Sequence, residues 1–285
     1  MVTATPTRKA PAPYVGSRRP GGPVRWIRAH IVPLGAATAL IYMFLPIIVV
    51  VVFSFNRPNG RYNDKWVRFS TNAWQHPCAV SGMCKGLKLS LEIGIIATVV
   101  SVILGTLVAF ALGRYRFRGR AATNLLIFMP MATPEVVMGS SLLALFVTLR
   151  VNTGTVTILI AHIMFCLSFV VVTVKARIAA LDPRLEQAAM DLYANERVTF
   201  WKITFPLVLP GIVAAALLAF SLSFDDFIIT YFNSGSTVTF PIFVWGAADH
   251  GTPPQINVVG ATMFFVSLGI VIVGQVTSSR RRKNA

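Results

Sequence analysis

Apolar residues in this chain neither alternate nor recur along one helical face. They gather in six nearly continuous blocks, Ile31–Phe55, Leu89–Gly113, Leu125–Leu149, Val156–Val174, Phe205–Phe224 and Ile256–Val276. Each block is roughly 18 to 25 residues long, which is what a helix needs to cross about 30 Å of hydrocarbon. The pattern predicts an all-α, polytopic membrane protein with six transmembrane helices. The third block carries Pro130 and Pro134 in "MPMATPEVVMG", so its helix is expected to break there and restart at Pro134-Glu135.

One polar stretch interrupts the apolar blocks in mid-chain, "DPRLEQAAMDLYANERVTFWKITFPLVLP" from Asp182 to Pro210. Asp182 followed by Pro183 is a helix start: a side-chain acceptor at the cap, then a residue with no amide hydrogen to satisfy. Leu185, Ala188, Ala189 and Leu192 recur at three- and four-residue steps, while Glu186, Gln187 and Asp191 fall largely elsewhere on the wheel. The prediction is a short amphipathic helix with an apolar face. Surface-seeking helices carry Lys and Arg on the polar face. This one carries acids, which fits a docking element for another protein better than a helix resting on lipid.

Composition supports the membrane assignment. Of 285 residues, 55% are hydrophobic and 13% charged, and mean hydropathy is +0.67; a soluble chain has about twice that charged fraction. The net charge of +16 raises the question of nucleic acid, and the placement of the charges answers it. With the N-terminus inside, 19 of the 26 Lys and Arg lie on the cytoplasmic side, among them Arg114, Arg116, Arg118 and Arg120, Lys175 and Arg177, and Arg280 to Lys283. That bias predicts cytoplasmic N- and C-termini. The excess is topological, no aromatic-interleaved basic patch accompanies it, and no nucleic-acid partner is expected.

The expected organisation is a basic, Pro- and Gly-rich cytoplasmic tail over 1–30, disordered for want of apolar residues. A permease domain over 31–279 follows, with its cytoplasmic loop at 177–205, and then a basic tail over 280–285. The first apolar block is too long for a signal peptide and lacks a small-x-small cleavage site, so it is read as a retained anchor.

Charges inside spans are costly and mark pathways or partners. Glu135 stands where the broken third helix restarts, and Asp225 and Asp226 stand about twenty residues into the fifth span. Successive helical residues point about 100° apart, so one of the two is expected to face a path and the other to brace the next segment. Phe224, Phe227, Tyr231, Phe232 and Trp245 follow closely. Carboxylates beside aromatic faces suit an organic ammonium through ion pairing and cation–π contact. Glu92 is read as interfacial. His162, within the fourth span, is expected to hydrogen-bond between helices, and Cys166 to serve packing. Cys78 and Cys84 sit in the loop Asn56–Lys88, where an oxidising exterior would permit them to pair. The Gly- and Pro-rich stretch Asn233–Gln255 is read as an external surface open to a binding protein.

No metal-ligand spacing links His30, His76, His162 and His250, no cofactor is expected, and no G-x-x-x-x-G-K-[ST] loop occurs. If ATP drives this protein, another chain must hydrolyse it. An intramembrane enzyme would want a nucleophile–base pair or a metal cluster; His162 and Cys166 stand one helical turn apart, but a thiol in an apolar span is inert. An ion-coupled secondary transporter would want repeated halves with matching broken helices, and the sequence has none.

The run Glu186–Pro210 resembles the "EAA" loop of ABC importer permeases: Glu-Ala-Ala, three residues, Gly, nine residues, Ile-x-Leu-Pro. Gln187-Ala188-Ala189 holds the first place, with Glu186 one residue earlier and Asp191-Leu192 following, and Ile203-Thr204-Phe205-Pro206 holds the last. Tyr193 stands where the pattern has glycine. Were that glycine to serve a positive φ, tyrosine would be strained, so Ala194-Asn195 is expected to take over the turn. With "RYRFRGR", "HIMFCLSFVVVTVKAR" and "SFDDFIITYF", the chain resembles the second permease subunits of spermidine/putrescine importers. The resemblance implies the type I importer fold and a bacterial cytoplasmic-membrane protein that performs no chemistry itself. It implies Glu186, Gln187, Ala188, Ala189, Asp191 and Tyr193 as the ATPase-coupling element, and Asp225, Asp226, Glu135, Tyr231 and Trp245 along the substrate pathway. The implied partners are a second permease subunit, two ATPase subunits, an extracytoplasmic substrate-binding protein and membrane lipid. An importer for another solute, such as an amino acid or ferric ion, is the nearest alternative.

Overall fold

A computed structural model describes residues 23–283, with side chains from 30 to 274. Twelve helices follow one another among these residues: α1 (Pro23–Phe53), α2 (Asn72–Gln75), α3 (Met83–Arg114), α4 (Arg120–Ala132), α5 (Glu135–Thr148), α6 (Thr155–Ala179), α7 (Arg184–Asp191), α8 (Glu196–Thr199), α9 (Phe205–Asp225), α10 (Ile228–Asn233), α11 (Phe240–His250) and α12 (Pro254–Lys283). α1 starts eight residues before the expected end of the N-terminal tail; residues 1–22 of that tail lie outside the described residues.

Five stretches are long and apolar enough to cross a membrane unaided: His30–Phe53, Met83–Arg114, Thr155–Ala179, Glu196–Asp225 and Pro254–Gly274. The sixth is the pair α4 and α5, which meet at an angle of 107°. One contact and one connection place the two ends of the bent pair at opposite ends of α6, as in a single crossing. Near its start Asn124 accepts a hydrogen bond from Lys175, close to the end of α6. At its far end, a loop of a few residues leads into the start of α6. Thr133 is extended (φ −83°, ψ 133°), as the residue before a proline prefers, so the predicted break falls at Thr133-Pro134.

The core of the bundle is α3, α6 and α9, packed on one another. α3 turns a seam of small residues inward, Gly86, Ser90, Gly94, Ala97, Ser101, Gly105 and Ala109, at the three- and four-residue steps of one helical face. Small residues let helices approach where lipid offers no hydrophobic driving force. At Gly105 a Cβ would stand 2.6 Å from Val170 Cγ1 on α6, so no larger residue fits without separating the pair. Ser101 Oγ adds a bond to the Ile163 carbonyl at 3.1 Å. Cys166, buried on α6, donates to the Ala219 carbonyl at 3.4 Å, a packing position. α1 and α12 pair with each other at the margin. Val32, Ile41 and Tyr42 on α1 and Val271 and Val273 on α12 remain exposed, an apolar surface suited to lipid.

The end of the bundle opposite α7 is roofed by the segment after α1. Asn56, buried, bonds Asn63 Oδ1 and the Lys65 carbonyl, each at 2.7 Å. Phe55 stacks between Phe69 and Trp74, and Cys78 and Cys84 form a disulfide just before and within the first turn of α3. The stretch Asn233–Gln255 lies at this same end and contains α11.

Candidate functional site

Two groups of the singled-out residues lie at opposite ends of the continuous helix Glu196–Asp225. The first is the loop around α7. Asp182 Oδ1 accepts the Arg184 amide at 2.9 Å, so the helix starts as the Asp-Pro pair predicts. Its inward face differs from the expected one. Ala189 is buried, but Leu185, Ala188 and Leu192 are exposed, as are Gln187 and Asp191. Glu186 turns inward: both of its carboxylate oxygens accept from the Arg114 guanidinium at the end of α3, and Oε1 also accepts from the Thr204 hydroxyl at the foot of α9. Glu186 thus joins three elements of its own chain. The Arg114 hydrogen bonds, and then Thr204, hold its carboxyl below the usual carboxylate range against the opposing effect of burial.

Tyr193 follows at φ 63° and is fully exposed. Its amide bonds to the Met190 carbonyl at 2.9 Å and the Ala194 amide to the Ala189 carbonyl at 3.1 Å. These are the two bonds of a Schellman helix end, in which the left-handed residue is usually glycine. The expectation that Ala194-Asn195 would take over this turn is therefore corrected. Tyr193 itself adopts the left-handed conformation, and Asn195 (φ −77°) instead caps α8 by accepting the Val198 amide at 2.9 Å. Past α8, Phe200–Thr204 forms one π-helical turn that runs directly into α9. Phe110, Arg114, Glu186, Phe200, Trp201 and Thr204 line a cleft of about 600 Å³ beside this joint.

The second group lies where α9 ends. Asp225 is exposed, Asp226 is 8% exposed, and the backbone turns to extended at Asp226 (φ −63°, ψ 121°). Asp226 Oδ2 accepts from the Thr230 amide at 2.8 Å and the Thr230 hydroxyl at 2.9 Å, and it lies 3.3 Å from His162 Nε2. Its carboxylate heads the first turn of α10, where the helix has free amides to satisfy. His162 is 2% exposed; Nδ1 bonds Ser223 Oγ at 2.7 Å and Nε2 bonds Thr230 Oγ1 at 2.8 Å. It joins α6 to α9 and α10, the helix-to-helix role expected of it.

An aromatic cluster begins two residues beyond Asp225. Phe227 stacks on Trp245 (centroids 4.9 Å apart) and meets Tyr231 at 5.4 Å, and Tyr231 and Trp245 are both more than half exposed. Glu135, exposed at the start of α5, lies within electrostatic range of Asp225 and Asp226. Glu135 thus lies near the two aspartates, and Tyr231 and Trp245 both meet Phe227, while Asp226 is turned into the protein. Glu92, by contrast, pairs with Lys88 at 3.7 Å on the surface of α3. Thr230 and Ser223 escaped the sequence reading, because a lone hydroxyl in an apolar block carries no signal until its partner is known.

Residues 94–283 match the family described as binding-protein-dependent transport system inner membrane component. The chain is similar to the spermidine/putrescine transport system permease protein PotC of Haemophilus influenzae, 36% identical over 244 residues, 85% of this chain and 93% of that protein. It is 36% identical over 238 residues to the putrescine transport system permease protein PotI of Escherichia coli K12, covering 81% and 84% of the two chains. Among solved structures it is similar to a chain of a bacterial ABC transporter involved in the import of the acidic polysaccharide alginate. The TM-score is 0.63 at 18% identity, over 90% of this chain and 98% of that one, a likeness of fold. On the broken third span, the α7 loop and these matches, the chain belongs to the binding-protein-dependent transport system inner membrane components, as a multi-pass inner-membrane permease.

Proposed function

We propose that this chain is a membrane-spanning permease subunit of an ATP-driven polyamine importer. Asp225, Glu135, Tyr231 and Trp245 line the substrate path on the outer side, and α7 with Tyr193 docks on an ATPase subunit in the cytoplasm. The observation that carries the substrate class is the exposed carboxylate of Asp225, two residues before Phe227, whose ring meets those of Tyr231 and Trp245. A flexible polycation is held by separated carboxylates through charge-assisted hydrogen bonds and by ring faces through cation–π attraction. The names of the PotC and PotI relatives point to the same solutes. The chain performs no chemistry. Two ATPase subunits supply hydrolysis, a second permease completes the path, and an extracytoplasmic binding protein delivers the solute to the roofed end.

The orientation with α7 and both termini in the cytoplasm rests on the Lys and Arg bias. The test is uptake of radiolabelled spermidine and putrescine by cells co-expressing this chain with an ATPase, a second permease and a binding-protein subunit. Polyamine uptake is expected, and Asp225→Asn, nearly isosteric but uncharged, is expected to lower it at least tenfold with the subunits still assembled. Uptake of an amino acid or ferric ion with no polyamine transport would move the reading to another solute.

A further inference from the structure

Asp226 and Asp225 are adjacent in sequence and opposite in circumstance. Asp225 is exposed, whereas the side chains of Asp226 and His162 are 4% and 3% exposed. The Asp226 carboxylate is already occupied by the Thr230 amide and hydroxyl, with His162 Nε2 3.3 Å away, so an incoming ammonium would have to displace bonds inside the protein. The directions of these bonds are mutually consistent. Thr230 Oγ donates its one hydrogen to Asp226, so it accepts from His162 Nε2–H, which leaves Nδ1 to bond the Ser223 hydroxyl. Every polar atom of the His162 ring has a partner, as burial demands.

α10 depends on this network. A six-residue helix has almost no stability of its own, because nucleation costs more than so few bonds return. Its first turn is held by Asp226 and His162, and its last by Asn233, whose Nδ2 bonds the Gly139 carbonyl on α5 at 3.3 Å and whose carbonyl accepts from Thr157 on α6 at 2.7 Å. Tyr231 lies on α10, and Phe227 stands between it and Asp226.

We propose that His162 and Asp226, completed by Thr230 and Ser223, are a positioning unit that holds α10 so that Asp225 and Tyr231 face the path, and that Asp226 is not itself a substrate ligand. This rests on the path reading above. Two readouts separate the inference from that reading. The first needs no substrate: labelling of Tyr231→Cys by a membrane-impermeant thiol reagent, in the wild-type background and with His162→Gln, His162→Ala or Asp226→Asn. The rate is expected to change several-fold with His162→Ala and with Asp226→Asn, and to return towards wild type with His162→Gln, whose amide can still donate. Labelling of Ser236→Cys, in the exposed loop beyond α10, is expected to stay constant.

The second is a double-mutant cycle on uptake per assembled complex. His162→Ala with Asp226→Asn should be no worse than the weaker single variant, because both break one unit, and Asp225→Asn should combine with either less than multiplicatively, because the unit acts in part by holding Asp225. Unchanged Tyr231→Cys labelling in all three backgrounds would overturn the proposal. So would an Asp226→Asn effect on uptake with none from His162→Ala, since that is the signature of a direct ligand. If His162→Ala or Asp226→Asn fails to reach the membrane, Thr230→Val and Ser223→Ala each remove a single hydroxyl. Altered labelling in either supports the unit, and wild-type labelling in both overturns it.

Discussion

Tyr193 holds a left-handed backbone with its ring in solvent, although a non-glycine residue there costs about 1 kcal/mol or more. No contact within the chain repays that strain, and strained residues cluster where partners bind. Tyr193→Gly removes the strain and keeps the helix end. Its expected outcome is an apparent melting temperature equal to or above that of the parent, with uptake retained. Loss of the ATPase from the purified complex would show instead that the ring, not the turn, is what the partner uses. At the same scale, the adjacent aspartates were legible in the sequence as a divided pair. Which of them is buried was not, because that depends on where the chain breaks after α9 and on His162, 64 positions earlier in sequence.

At the scale of the element, α7 is where the periodicity misled. Leu185, Ala188, Ala189 and Leu192 form an apolar face by spacing, yet only Ala189 turns to the body of the protein, beside Glu186. An ion pair to Arg114 outcompeted two leucines for the inward side, which leaves Leu185, Ala188 and Leu192 exposed. Ala188→Arg is therefore the clean probe of docking: insertion should be normal, while the ATPase should no longer co-purify and uptake should fall at least tenfold. Ala189→Arg would bury an unpaired charge within the chain, at a cost on the order of several kcal/mol, and so would damage the loop itself.

The Arg114–Glu186–Thr204 joint has its own pH signature. A carboxyl held below its ordinary range contributes stability that is fully present above the unfolded value of about 4.3. That stability is lost only as pH falls through the lower folded value. The hydrogen-exchange protection factors of 182–204, corrected for the pH dependence of intrinsic exchange, should thus be constant from pH 7 down through 5 and fall only below the usual carboxylate range. In Glu186→Gln the same loop should be labile at every pH, and Arg114→Glu with Glu186→Arg should restore part of its protection.

For the whole molecule, the two ends of Glu196–Asp225 belong to opposite faces of the membrane. Cys78 and Cys84 lie at one end, and α7 at the other. After mild reduction, an impermeant thiol reagent should label Cys78 and Cys84 in intact spheroplasts. It should reach Gln187→Cys, in a chain whose other cysteines are replaced, only in inside-out vesicles. The opposite pattern would invert the orientation and place α7 beyond reach of any cytoplasmic ATPase. The six crossings, the break at Pro134 and the presence of a polar helix before Pro206 were all determined by the sequence. Block length, proline and capping chemistry are local quantities that need no partner to take effect. Tertiary structure alone decided that Glu186 faces Arg114, that Asp226 is enclosed with His162 and Thr230, and that Glu135 stands near both aspartates. These depend on contacts between residues up to 94 positions apart, as in the bond from Asn233 to Gly139. Only the packing of α3, α6 and α9 brings such distant residues within reach of one another.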